Sequence, residues 1–147
     1  MTPKTSGTYW CNHCDDNAFS ETCWRCHREA TFMASPARTP ISDRLAIRAI
    51  IGEGANQSDA ALAAIASAIH NRGTLRGVYG LTNPVGDHAS DALCARATRA
   101  WNLAKAGGDP ENIRGCKFFG CPTDVPWFHK HGFTAVKTIG QITFYKP

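Results

Sequence analysis

Apolar positions recur at helical spacing in three stretches of the chain, then change period near its end. Leu45, Ile47, Ile50 and Ile51 form a stripe behind Ser42 or Asp43, either of which can cap a helix running to about Ile51. Gly52 and Gly54 interrupt that pattern, with Glu53 between them. Ser58 or Asp59 can cap the next helix, in which Leu62, Ile65 and Ile69 recur among alanines small enough for close packing. Gly73 suits the position just past its end. Thr74 to Ala89, with its glycines and proline, reads as mostly loop. Ser90 opens a third helix with Leu93, Ala97, Ala100, Trp101 and Ala104 on one side, ended by Gly107 and Gly108. Cys116 to Phe119 then suits a short strand, and Thr134 to Tyr145 reads as two strands around Ile139-Gly140-Gln141. The pattern predicts an α+β domain, mainly helical, with a small C-terminal β-hairpin or sheet.

The first part of the chain is different in kind. Met1 to Trp10 is polar and reads as a flexible lead-in without the apolar stretch of a secretory signal. Cys11-Asn12-His13-Cys14 and Cys23-Trp24-Arg25-Cys26 are two C-x-x-C turns separated by eight residues. Two thiolates at that spacing chelate one ion from one tight turn, and two such turns complete a tetrahedral site of the kind that holds structural Zn²⁺. A segment this short buries too little apolar surface to fold unaided, so bound metal would supply the missing stability. His13 and His27 are neighbouring donors able to replace a cysteine, and a pair of disulfides is the alternative use of the four residues. Of the remaining cysteines, Cys94, Cys116 and Cys121, the last two flank Lys117 to Gly120 and read as free buried thiols or as a pair. His129 and His131 follow closely enough for a second metal site to be conceivable. Ala34 to Pro40 carries two prolines among small residues and reads as a linker. The expected organisation is therefore a zinc-ribbon-like module at 1–33, a linker at 34–41 and a domain at 42–147.

Composition narrows the picture only slightly. The 147 residues carry a net charge of +4, mild enough to allow a polyanionic partner without requiring one. No apolar run reaches the roughly 18 residues of a transmembrane helix.

Glu53 is the candidate for chemistry. A lone acid between two glycines at a helix corner can project into a groove while packed helices hold its backbone, which suits a general acid at a glycosidic bond. The other use of such a residue is an exposed Glu near a helix end. Arg48 to Arg72 resembles the opening motif of the SleB/CwlJ-type cell wall hydrolases, roughly A-E-A-R-G-E, a spacer, an Ala/Val-rich helix and N-R. The distance from Glu53 to Asn71-Arg72 agrees with that motif without a gap. Gly107-Gly108-Asp109-Pro110 is similar to the family's G-x-D-P turn, and Gly115 to Phe119 to its G-A-x-x-F segment. Trp127 stands where an aromatic is common, and Val136 to Tyr145 resembles the closing I-G-x-H-x-F-Y strand pair. The likeness covers about Ser42 to Lys146 and leaves the cysteine module outside. Three departures stand out: the family's second Glu is Gln57, the His of its closing strands is Ile142, and the loop between Arg72 and Ser90 is short.

The resemblance implies a lysozyme/transglycosylase-like domain that cleaves peptidoglycan, in many members by lytic transglycosylation, with Glu53 as general acid and base. That route needs no second carboxylate, whereas a hydrolase usually needs two. Asp87 and Asp91 are the candidates for such a partner, and the transglycosylase route is favoured. Gln57 is expected either to hydrogen-bond an N-acetyl group or to sit in a capping loop. Asn71 and Arg72 either orient Glu53 and bind sugar or finish a helix. Phe118, Phe119, Trp127 and Tyr145 either stack on sugar rings or fill the core. The competing class is a non-enzymatic one: a zinc module joined to a degenerate lysozyme-like domain that binds wall polymer, nucleic acid or protein. A wall-degrading chain without a signal would be delivered by another route, as a phage lysis or virion protein is.

Overall fold

The computed structural model describes residues 7–14, 16–34 and 41–147. These fall into two compact units, 7–34 and 41–146, each described here by itself. The expected linker is represented by Ala34 and Ile41; residues 35–40 lie outside the described residues.

In the first unit, β1 (Gly7–Cys11) lies between β2 (Asp16–Asn17) and β3 (Thr31–Ala34) in an antiparallel sheet. The expectation of a flexible lead-in to Trp10 is corrected from Gly7 onward, because Gly7 to Trp10 pair with Ala34 to Thr31. Tyr9 and Phe32 face each other across that pair, their ring centroids 5.2 Å apart. The core of the unit is Cys11, Ala18 and Cys23, with little else to bury.

In the second unit, α1 (Asp43–Gly54), α2 (Asp59–Arg72) and α3 (Asp91–Lys105) pack around one core. Ser58 accepts a hydrogen bond from Ala61 N–H at the start of α2, and Gly73 ends it at φ 74°, a left-handed conformation that costs glycine little. Nearly every residue from Ala61 to Ile69 is buried, so α2 is the central helix. Its alanines let α1 and α3 approach, and Leu62, Ile65 and Ile69 fill the spaces against Ile50, Ile51 and Trp101. Burying each such side chain is worth about 1.5–3 kcal/mol relative to exposure. Trp101 satisfies its indole N–H on Asp43 Oδ1 at 2.8 Å, joining α3 to the start of α1.

One expectation about α1 is corrected. The glycines do not interrupt the helix, which continues through Gly54. They mark close approaches instead: a Cβ on Gly54 would lie 2.9 Å from side-chain carbons of both Leu62 and Ile65.

After α3 the chain forms a second antiparallel sheet in the order β4 (Phe118–Gly120), β6 (Ile142–Lys146), β5 (Thr134–Ile139). Between β4 and β5 lies α4 (Val125–Lys130), which the hydrophobic pattern does not reveal. It buries Phe128, whose ring stacks on Tyr145 at 3.8 Å between centroids. The fold is thus α+β, a mainly helical domain with a small antiparallel sheet, preceded by a cysteine-rich knuckle. No helix among the described residues is long and apolar enough to cross a membrane.

Candidate active site and metal centre

Glu53 lies in the last turn of α1, half-buried. The segment expected to be loop contains two short 3-10 turns, Tyr79–Thr82 and Pro84–Asp87. The first lies against α1 at backbone distance. A Cβ on Gly52 would stand 1.9 Å from Gly80 O, and one on Gly80 would stand 2.5 Å from Ala49 O and 2.6 Å from Glu53 Cγ. Only glycine at both positions permits this approach. Its product is a short hydrogen bond: Gly80 N–H donates to Glu53 Oε1 at 2.6 Å.

Two further side chains fasten the turn. Arg48 Nε donates to Leu81 O at 2.9 Å while its Nη1 pairs with Asp87 at 2.6 Å. Asn83 Nδ2 donates to Gly52 O at 3.0 Å. Sequence reasoning missed Arg48, Gly80 and Asn83 as parts of the site. Gly80 and Asn83 lie in a stretch with no periodicity, and the only signal for Arg48 was its place at the start of the Arg48 to Arg72 motif.

Burial pushes the Glu53 carboxyl above the usual carboxylate range. The Gly80 N–H opposes that rise, the negative charge of Asp124 adds to it, and Arg72 reduces it. The result is an acid that holds its proton to higher pH than a free glutamate, as proton donation to a leaving oxygen requires.

Asp87 and Asp91 are the carboxylates that a hydrolytic route would call on. Asp87 is engaged with Arg48, and Asp91 is an exposed residue in the first turn of α3. The carboxylate whose charge acts on Glu53 is Asp124. Asp124 Oδ2 accepts from Cys121 N–H at 2.9 Å and from the Cys121 thiol at 3.3 Å.

The structure places the other expected residues in several roles. Asn71 Nδ2 donates to Cys116 O at 3.1 Å, and Arg72 donates to Lys117 O and Arg76 O, so the end of α2 holds the approach to β4. The Arg72 guanidinium also lies 5.2 Å from the centroid of Phe118. Gln57 Oε1 accepts from Gln141 N–H at 3.3 Å, which fastens the β5–β6 turn to the α1–α2 corner. Phe118 and Tyr145 are buried, and Phe119 is half-buried against the core. Sugar stacking by Phe118 or Tyr145 is therefore corrected: both of these rings are occupied by Phe133, Phe128 and the Arg72 guanidinium. Trp127 is the exposed member of the set. Ile142, where the resembling family has His, is a core residue.

In the first unit, the sulfurs of Cys11, Cys14, Cys23 and Cys26 all lie within 4.8 Å of one another and could hold a metal ion. Cys11 Sγ is 3.5 Å from Cys26 Sγ, and Cys14 Sγ is 3.9 Å from Cys23 Sγ. Cys14 N–H donates to Cys11 Sγ and brings that thiol down to about 7. Burial, with the neighbouring sulfurs adding to it, pushes Cys14 up to about 12. Burial likewise pushes the Cys23 thiol up, and a bound divalent cation would favour the thiolate forms of such a cluster. No cysteine forms a disulfide among the described residues. Nor do Cys116, Cys121, His129 and His131 gather into a second cluster.

The fold is a mainly helical α+β domain with a small antiparallel sheet, preceded by a four-cysteine knuckle. Among solved structures, the chain is similar to the catalytic domain of the germination-specific lytic transglycosylase SleB from Bacillus anthracis. The TM-score is 0.54 at 21% identity, over 76% of this chain and 100% of that one. The catalytic domain of the Bacillus cereus SleB protein matches over the same shares, also at 21% identity, with a TM-score of 0.49. No protein-family model and no curated protein matches the sequence.

Proposed function

We propose that residues 42–147 form a catalytic domain that cleaves the glycan strand of peptidoglycan between N-acetylmuramic acid and N-acetylglucosamine, with Glu53 as general acid and base. The observation that carries this reading is the half-buried Glu53 carboxyl, its pKa raised by burial, with one oxygen held by Gly80 N–H at 2.6 Å. The fold shared with a SleB catalytic domain supports it.

Protonated Glu53 donates its proton to the glycosidic oxygen as the bond from that oxygen to C1 breaks. Positive charge develops at C1 and the ring oxygen. The sugar's own 6-hydroxyl attacks C1, and the Glu53 carboxylate takes the hydroxyl proton. The acid is regenerated, no water is consumed, and the product ends in a 1,6-anhydro ring. Holding one carboxylate oxygen on a backbone amide fixes the geometry through both proton transfers. One carboxylate suffices for this sequence, which favours transglycosylation over hydrolysis. Digestion of purified peptidoglycan, with mass spectrometry of the soluble products, tests it. Anhydro-ended muropeptides support transglycosylation, reducing ends indicate hydrolysis, and no release by the intact chain overturns the enzymatic reading.

In the same reading, residues 1–33 form a module that takes structural Zn²⁺ on Cys11, Cys14, Cys23 and Cys26. Four thiolates suit zinc, and a closed four-sulfur set leaves no position for catalysis.

A further inference from the structure

Tyr79 is 84% exposed, more than any other large hydrophobic residue among the described ones. Isolated exposed apolar side chains are ordinary and by themselves mean little. What distinguishes Tyr79 is its place. It directly precedes Gly80, whose N–H holds the Glu53 carboxylate. The other large exposed residues of this unit, Leu45, Leu103 and Trp127, do not adjoin that amide in the chain.

The backbone that carries Tyr79 is fixed on both sides. Val78 is buried in the core, and Gly80 is pressed against α1. Thr82 Oγ1 donates to Tyr79 O at 3.1 Å, and Arg48 and Asn83 fasten the turn just beyond it. A rigid turn therefore presents a large ring to solvent one residue before the amide that holds the Glu53 carboxylate. Such a ring contributes almost nothing to folding, yet it loses little entropy on contacting a ligand because its backbone is already ordered. The electron-rich face of tyrosine suits the C–H-bearing face of a pyranose, and its hydroxyl supplies a polar tip for the ring's substituents.

We propose that Tyr79 is a carbohydrate-stacking residue, forming one wall of a sugar subsite beside Glu53 and taking the apolar face of an N-acetylhexosamine ring. This rests on the glycan-cleaving reading above. It adds a residue that sequence analysis did not single out, and it assigns the residue binding rather than proton transfer.

The test uses the full chain in two assays. In the first, Glu53→Gln and Glu53→Gln/Tyr79→Ala are titrated with soluble glycan strands freed of their peptides. Binding of the double variant is expected to be about tenfold weaker, the size of one well-placed aromatic contact. Tyr79→Trp in the Glu53→Gln background should bind within a few-fold of Glu53→Gln alone, and thermal unfolding should not change. In the second, Tyr79→Ala in the otherwise native chain should raise KM for glycan release by about the same factor while leaving kcat nearly unchanged. Equal glycan binding with and without Tyr79, or no binding by either protein, overturns the stacking role. Failure of the native chain to cleave overturns the catalytic reading, but the binding assay still decides the role of Tyr79.

Discussion

Gly52 and Gly80 touch through their backbones, and the contact sets the geometry of the candidate acid. Because a Cβ on Gly52 would lie 1.9 Å from Gly80 O, neither α1 nor the Tyr79–Thr82 turn can give way to a side chain without separating. Gly80→Ala is the cleaner probe, since its Cβ would meet Ala49 O, Glu53 Cγ and Glu53 N between 2.5 and 2.8 Å. The turn should shift outward and the Gly80–Glu53 hydrogen bond should be lost. We expect destabilisation of about 1–3 kcal/mol, as for an overpacked interior. Cleavage should fall by at least tenfold, about the effect of losing one site-orienting hydrogen bond. Denaturant unfolding and muropeptide release measure the two separately. Native-like activity from Gly80→Ala would show that the amide does not position the acid.

The raised pKa of Glu53 makes a signed prediction about pH. An acid whose folded pKa lies above its unfolded value binds its proton more tightly when folded. Its contribution therefore favours folding least at high pH and improves as pH falls through the folded pKa toward the unfolded one. Glu53→Gln removes this titration. The stability of the variant relative to the native chain should rise with pH across the window above the ordinary glutamate pKa of 4.5 and level off beyond it. Activity of the native chain should decline on the alkaline side of the same window, as the proton is lost. Unfolding curves of both proteins at several pH values check the first statement. A pH-independent difference would mean that burial does not shift Glu53.

Much of the fold was legible because it follows from periodicity. The stripes through Ile50, Leu62, Ile65 and Trp101 are core-facing patterns and the core contains them, and the run from Thr134 to Tyr145 adds Ile142 and Phe144 to it. The glycines flanking Glu53 were visible too, but their purpose was not. A helix-breaking reading and a close-contact reading look alike until the partner backbone is known, and that partner, Gly80, lies in an aperiodic segment. The helix α4 escaped notice because six residues with one buried position are too few to show a period. Asp124 was missed for the same reason, since its approach to the site depends on the path of β4 and α4. The aromatic residues were found, but sequence cannot separate a stacked core ring such as Tyr145 from an exposed one such as Trp127.

The four-cysteine cluster predicts strong dependence on metal. Prolonged treatment with a high-affinity chelator should abolish the near-ultraviolet signal of Trp10 and Trp24, because the core of Cys11, Ala18 and Cys23 is too small to persist alone. Purified protein should contain about one zinc per chain. Cys23→Ser, which removes a buried thiol of the cluster, should release it at much lower chelator concentration. Retention of the signal in fully demetallated, reduced protein would mean that the unit folds without an ion.

Gln57 provides the last prediction, because it stands where the resembling family has glutamate and its amide oxygen already has a partner in Gln141 N–H. The neighbouring Gly140, at φ 59°, leaves space for that amide: a Cβ there would lie 2.7 Å from Gln57 Oε1. If Gln57 acts by fastening the hairpin turn, Gln57→Glu should keep both fold and activity, since a carboxylate oxygen accepts the same hydrogen bond. Gln57→Ala should destabilise by about 1 kcal/mol, the usual worth of one such bond, and reduce activity only modestly. If Gln57 instead contacts substrate through its amide N–H₂, the order changes. Gln57→Glu would then lose the donor while keeping the hairpin, so glycan release would fall with no change in unfolding. Measuring release and denaturant stability on the two variants decides between hairpin and substrate, because the outcome that moves activity alone is incompatible with a purely positioning role.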